Sequence, residues 1–312
     1  MIPFRHILVP LDGSELAEKA LASAEQIAAA ISRGNAAGSD PVRLVLLRIA
    51  SPAALLAADP LLYDEMVRMS VDEAQTYLNN VVTSRLTGHP AIIETVTQVG
   101  SPADAVVQYA EDHGVDLIVM SSHGRTGSRR WVYGSVAEKV MHHAPCATVI
   151  IRAHVEVSMF QNRKLLVPLD GSELAERALE PALSLAGAVQ SDVLLLRVVV
   201  GREPLPEAMT PVGDQAKAAL EAATSQEMVE AEAYLQKIYT GCDNQRLFFD
   251  VKSTEGDIAD AIISYADSHG VDLIVISSHG RSGLGRWLHG SVAEKVLRGA
   301  NCATLIIRGS QS

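Results

Sequence analysis

Cysteine is scarce, with three in 312 residues. Two of them, Cys146 and Cys302, stand at matching places in the apolar runs "CATVII" and "CATLII", where a thiol packs as a small hydrophobe, so no disulfide framework is implied. Basic charge is also short: 26 Lys and Arg against 37 Asp and Glu give a formal net charge of −11, spread along the chain rather than gathered in runs. Such a balance argues against a surface built on phosphate contacts to a duplex, and nucleic acid is not an expected partner. No apolar stretch approaches membrane length, and the opening "MIPFRHILVPLDGS" runs straight into a strand-like segment without the regions of a secretory leader. The expectation is a reduced, cytoplasmic, soluble protein with no membrane partner. G-x-x-x-x-G-K-[ST] is missing, which excludes an ordinary P-loop, and so are G-x-S-x-G and the Cys/His spacing of metal sites. No metal ligand and no catalytic residue is expected.

What the sequence does have is a copy of itself. "ILVPLDGSELAEKAL" (Ile7 to Leu21) matches "LLVPLDGSELAERAL" (Leu165 to Leu179) at an offset of 170 − 12 = 158. The offset becomes 197 − 48 = 149 at "LLRIA" and "LLRVV", then 290 − 134 = 156 through "SSHGRTGSRRWVYGSVAEKV" and "SSHGRSGLGRWLHGSVAEKV". Length therefore varies between matching blocks, in loops or in the second helix of each half. The reading is two domains, residues 1–152 and 164–312, joined by a linker at 153–163. Within the linker, "HVEV" alternates as a short strand would, although a loop is the preferred reading.

Short apolar runs alternate with longer helical patterns in each half, the signature of a parallel sheet with crossover helices. In the first half the runs are Ile7 to Leu11, Leu44 to Ile49, Ile92 to Val99, Leu117 to Met120 and Thr148 to Ile151, all rich in Val, Ile and Leu as strands covered on both faces require. Leu16, Ala20, Ala24, Ile27 and Ile31 make one apolar face of a first helix. Tyr63 to Leu86, Pro102 to Asp112 and Ser135 to His143 read as the second, third and fourth helices, with His142 and His143 as a charged helix end. The same order recurs from Leu165 to Ile307.

In open parallel sheets, ligands bind beyond the carboxyl ends of the strands, where strand order reverses. "VPLDGS" ends the first strand and "MSSHGR" the fourth, so both point at one rim. Ser135-x-x-Glu138 and Ser291-x-x-Glu294 fit a capping box. Capping alone leaves unexplained the glycines just before it, Gly134 and Gly290, and those opening the loop, Gly124 and Gly280. Glycines there let backbone amides approach a ligand, and a helix start adds free N–H groups and partial positive charge, which together suit an anion.

These residues resemble the universal stress protein family, in its ATP-binding branch, over nearly the whole chain and twice in tandem. The family's phosphate loop is G-x-x-G, nine residues, then G-[ST]; Gly124, Gly134, Ser135 and Gly280, Gly290, Ser291 fit it. The first glycine of the pattern is replaced by Ser121 and Ser277. If that position needs positive φ or lies against the ribose, a Cβ costs roughly 1 kcal/mol, about fivefold in affinity, which weakens binding without abolishing it.

The resemblance implies an α/β fold of two tandem domains, each a five-stranded parallel sheet in the order 3-2-1-4-5 with helices on both faces. It implies ATP or ADP as ligand, accompanied by Mg²⁺. Pro10, Leu11 and Asp12, with Pro168, Leu169 and Asp170, would border adenine and ribose, and Ile49 and Val198 would contact the base. Ser121, Gly124, Gly134, Ser135 and Val136 would wrap ribose and phosphates, with Ser277, Gly280, Gly290, Ser291 and Val292 as counterparts. His123, Arg125, His279 and Arg281 belong to the same loops. The histidines would orient the loop and the arginines either offset phosphate charge or face solvent, as Arg129, Arg130 and Arg286 would. Trp131 and Trp287 either stack on a base or pack the loop.

Ser122-His123 and Ser278-His279 near an aspartate do not make a Ser-His-Asp hydrolase, since adjacent residues at a strand exit point apart. No general base is evident beside a γ-phosphate, so at most slow ATP hydrolysis is expected. The reading is a stress-response protein whose nucleotide tunes conformation or partner choice. Its alternatives are a nucleotide-free scaffold or chaperone-like module, and an adenylating ligase, for which the two repeats leave little chain to form an acceptor site. The two domains are expected to form an internal pseudo-dimer through the edge strands Thr148 to Ile151 and Thr304 to Ile307, with a homodimer of the whole chain as a further option.

Overall fold

The computed structural model describes residues 4–34, 40–50, 60–122, 133–152, 159–201, 212–242, 244–278 and 291–308. In the first half the elements run β1 (His6–Pro10), α1 (Glu15–Gly34), β2 (Arg43–Ala50), α2 (Pro60–Val81), β3 (Ile92–Val99), α3 (Pro102–Asp112), β4 (Leu117–Ser121), α4 (Ser135–His143) and β5 (Ala147–Ile151). In the second they run β6 (Lys164–Pro168), α5 (Glu173–Glu176), α6 (Leu179–Val189), β7 (Asp192–Val200), α7 (Val212–Gly241), β8 (Leu247–Thr254), α8 (Ile258–His269), β9 (Leu273–Ser278), α9 (Ser291–Gly299) and β10 (Ala303–Arg308).

All ten strands form one sheet in the order β3-β2-β1-β4-β5-β10-β9-β6-β7-β8. Each half alone has the expected order 3-2-1-4-5 with parallel neighbours, and the halves meet through antiparallel β5 and β10, with Val149 opposite Leu305. Pairing these apolar edges removes the two strands that would otherwise be exposed templates for aggregation.

Alternation along the strands sorts side chains to the two faces. Ile7, Val9, Leu44 and Leu46 lie beneath α1 and α2, and Leu165, Val167 and Leu195 beneath α6 and α7, in a single buried cluster. Leu8, Val45, Leu47 and Ile118 lie on the other face with α3 and α4, continuous with Leu166, Leu196 and Ile274 under α8 and α9. Each core thus spans both halves.

Four details depart from the sequence reading. The second helix ends its α-helical part at Val81 and continues as a π-helical turn, Val82–Leu86. There Thr83 and Ser84 hydroxyls donate to the carbonyls of Asn79 and Asn80 at 2.8 and 2.7 Å, back-bonding that loosens a helix. The repeat of α1 is broken into α5 and α6 at Arg177–Ala178, because Pro181, where the first half has Ser23, has no N–H to return to the Arg177 carbonyl. His142, in the last turn of α4, is less readily charged than the sequence suggests, since burial pushes its pKa below the ordinary histidine value despite the opposing pull of Glu138. Ser135 is the first residue of α4 rather than its cap: Gly134 takes that place and no side chain caps the helix. The "HVEV" segment lies outside the described residues.

Candidate functional site

Asp12 and Asp170 sit in tight turns that launch the first helix of each half. Asp12 Oδ1 accepts from the Ser14 amide at 3.0 Å and the Ser14 hydroxyl at 2.6 Å, while Ser14 Oγ accepts from the Ala17 amide at 3.2 Å. In the second half, Asp170 Oδ1 accepts from Ser172 N and Oγ at 2.9 and 2.6 Å, and Ser172 caps α5 through the Ala175 amide. Gly13 and Gly171 make this turn possible with φ of +79° and +85°. Burial alone would push the Asp170 carboxyl up, but the Ser172 hydrogen bonds and the nearby Arg197 guanidinium outweigh it and hold its pKa below the ordinary carboxylate value.

Beside each turn, at the point where β1 and β4 (or β6 and β9) part company, a cleft opens at the carboxyl ends of the strands. In the first half it holds about 250 Å³. It brings together all the described candidates of that half, Pro10, Leu11, Asp12, Ile49, Ser121, Gly134, Ser135 and Val136. In the second half a cleft of about 230 Å³ collects Pro168, Leu169, Asp170, Val198, Ser277 and Val292. Ser291 opens α9 next to Val292 without lining that cleft. His123, Gly124, Arg125, Trp131, His279, Gly280, Arg281, Trp287 and Gly290 lie outside the described residues.

Several lining residues were not picked out from sequence. Leu47, Val106 and Met120 give the first cleft an apolar floor, as Leu196, Ile262 and Ile276 do in the second. Leu47 and Met120 were readable as strand-end residues of the same rim, whereas Val106 and Ile262 come from helices whose approach no local motif announces. Ser122 also lines the first cleft, and its carbonyl accepts from Gly134 N at 2.9 Å, which ties the end of β4 to the residue just before α4.

Ser121 and Ser277 are ordinary strand-end residues. Arg163 and Gln190 are the non-glycine residues with positive φ among those described, so the backbone penalty considered for these serines does not arise. Ser121 is buried, and the Ser277 hydroxyl donates to the Leu174 carbonyl at the start of α5.

Each cleft is therefore mostly apolar, with the carboxylate-bearing Asp12 or Asp170 in its lining. The lining also takes in the first turn of α4 or α9, whose amides helical geometry leaves without intrahelical acceptors. Among the described residues no group of three or more His, Cys, Asp or Glu could hold a metal, and no helix is long and apolar enough to cross a membrane. Cys146, Cys242 and Cys302 are free thiols. Burial raises Cys146 and Cys302 to about 12, which keeps both thiols protonated.

Fold and clefts define a tandem doubly wound α/β protein with a ligand-sized slot at each switch point. The chain belongs to the universal stress protein family, which it matches twice, over residues 3–152 and 161–308. It is similar to a universal stress protein of Methanothermobacter thermautotrophicus, 33% identical over 146 residues, which cover 47% of this chain and 95% of that protein. One from Methanocaldococcus jannaschii is 28% identical over 146 residues, 47% of this chain and 82% of its own length. The crystal structure of a universal stress protein from Archaeoglobus fulgidus shares the fold along the whole chain, with a TM-score of 0.67, 19% identity and 97% coverage of each.

Proposed function

We propose that the protein binds an adenine nucleotide, ATP or ADP, in each of its two clefts, and that the bound nucleotide tunes its conformation or its choice of partner in a stress response. The observation that carries this reading is the duplicated convergence of apolar slot, strand-end aspartate and helix N-terminus at both switch points. Each part selects a different piece of one ligand. The slot suits a flat heteroaromatic ring; a carboxylate, which accepts and cannot donate, suits ribose hydroxyls; free first-turn amides suit phosphate. Mg²⁺, which keeps water and phosphate oxygens as ligands, would arrive with the triphosphate rather than occupy a protein cage.

The chemistry proposed is binding, with hydrolysis slow and incidental. Denaturing freshly purified protein and separating released small molecules by anion exchange tests it directly. One adenine nucleotide for each cleft is expected. No released nucleotide, together with no heat on titrating Mg-ATP, would sink the reading in favour of a nucleotide-free scaffold.

A further inference from the structure

The strand that supplies Ile49 to the first cleft turns the preceding residue, Arg48, to the opposite face of the sheet. Arg48 is 9% exposed, and its Nη1 is buried without a hydrogen-bond partner. The guanidinium lies against the bare backbone of Gly13: a Cβ there would stand 2.7 Å from Nη1. On its other side it faces the ring of Tyr77 on α2, 4.5 Å from the centroid. The Tyr77 hydroxyl in turn donates to Glu18 Oε1 on α1 at 3.1 Å. Burial and the Glu18 carboxylate push the Tyr77 pKa up to about 12, so the phenol keeps the proton this bond needs.

The second half repeats these contacts around a half-buried Arg197, whose Nη1 also lacks a hydrogen-bond partner. Arg197 Nη1 would lie 3.0 Å from a Cβ on Gly171, the guanidinium faces Tyr234 of α7 at 5.8 Å, and Tyr234 donates to Glu176 Oε1 at 2.9 Å. Ionic attraction, such as that of Arg197 for Asp170, still leaves the buried Nη1 without a hydrogen-bond partner, which costs free energy. A place between a glycine turn and an aromatic ring does explain it, since the flat guanidinium fills the space that Gly13 leaves and stacks on the ring.

We propose that Arg48 and Arg197 are positioning residues for the two clefts. Each supports the Asp-Gly-Ser turn from beneath and ties it to the second helix through Tyr77 or Tyr234, so that filling a cleft and packing that helix are linked. The proposal deepens the nucleotide reading and rests on it. It gives the second helix, 22 residues long as α2 and 30 as α7, a route by which the ligand is felt at the surface. The longer ring separation in the second half makes its link the weaker of the two.

The test uses the full chain with Arg48→Met, Arg48→Lys and the Arg197 counterparts, titrated with Mg-ATP by calorimetry and followed by amide hydrogen exchange. Arg48→Met should weaken binding in its own half about tenfold, the usual size of coupling between linked elements, and leave the other half unchanged. Arg48→Lys, which keeps charge but not the planar stack, should recover only part of the loss. In the wild type, nucleotide should slow exchange along α2, and Arg48→Met should abolish that slowing while leaving the response of α3 intact. Wild-type affinity in Arg48→Met, or an α2 that ignores nucleotide in the wild type, would overturn the proposal. If the wild type binds no nucleotide, the functional reading fails instead, and the link is then read without ligand. Joint loss of protection at Ser14 and along α2 in Arg48→Met supports it, and loss at only one of the two overturns it.

Discussion

Gly13 has two reasons to be glycine, and they can be separated. Its φ of +79° disfavours any Cβ, and a Cβ would also run into Arg48. Gly88 has the same φ of +79° with nothing within 4 Å of its would-be Cβ, which makes it the natural control. Gly88→Ala should cost about 1 kcal/mol for the backbone alone. Gly13→Ala should cost roughly another 1 kcal/mol, because the guanidinium must leave the Tyr77 ring. In an Arg48→Met background the two costs should converge; denaturant unfolding of the four variants checks this, and an unchanged difference would mean that Arg48 does not fill that space. At this scale the sequence was half legible. Asp12, Ser121, Gly134 and Ser135 could be found because the repeat prints their motif twice. Arg48 was not: the repeat prints it twice as well, in "LLRIA" and "LLRVV", but an arginine near the end of an apolar run reads as the close of a strand, and its aromatic partner lies on another element. Ser14 and Ser172 were also missed, although a serine three residues before a helical alanine carries the cap signal.

Strands and helices were more readable than side-chain contacts, since burial on both faces of a parallel sheet imposes continuous Val, Ile and Leu runs. The third and fourth helices keep the bounds their sequence suggests, Pro102–Asp112 and Ser135–His143. The divided first helix of the second half shows what a repeat conceals, because a single Pro in one copy changes the path of an otherwise matching segment. Arg177 and Ala178 turn tightly, their amides donating to Leu174 and Ala175 carbonyls at 3.2 and 3.1 Å. The turn carries Leu174 and Ala175 into the lining of the second cleft, where the first cleft has only Ala17 from its continuous α1. Pro181→Ser, which installs the residue found at the corresponding place in the first half, should fuse α5 and α6 and slow amide exchange from Glu176 to the new serine. Exchange unchanged across that segment would mean that something other than Pro181 breaks the helix.

For the whole molecule, the joint between the halves decides how the chain behaves as a unit. Val149, Leu305 and Ile306 are fully buried in the antiparallel pair, and α1 packs on α6 across the joint. Arg152, at the end of β5, donates to the Ala300 carbonyl at 2.6 Å and also to that of Arg298, at the end of the other half's α9. Arg308 returns the contact to Met141 at the end of α4. These guanidinium groups meet the negative ends of the helices whose opposite ends open on the clefts. Both buried clusters run without a break through the two halves. Although two-domain chains often unfold in steps, this one should therefore melt in a single cooperative transition, with calorimetric and van't Hoff enthalpies equal. Leu305→Ala, which deletes a buried side chain on the second half's side of the joint, should cost about 3 kcal/mol. That single transition should move as a whole, carrying the exchange protection of β1 and β4 with that of β9. Two resolved transitions, or a loss of protection confined to the second half, would mean that the sheet is continuous in geometry but not in energy.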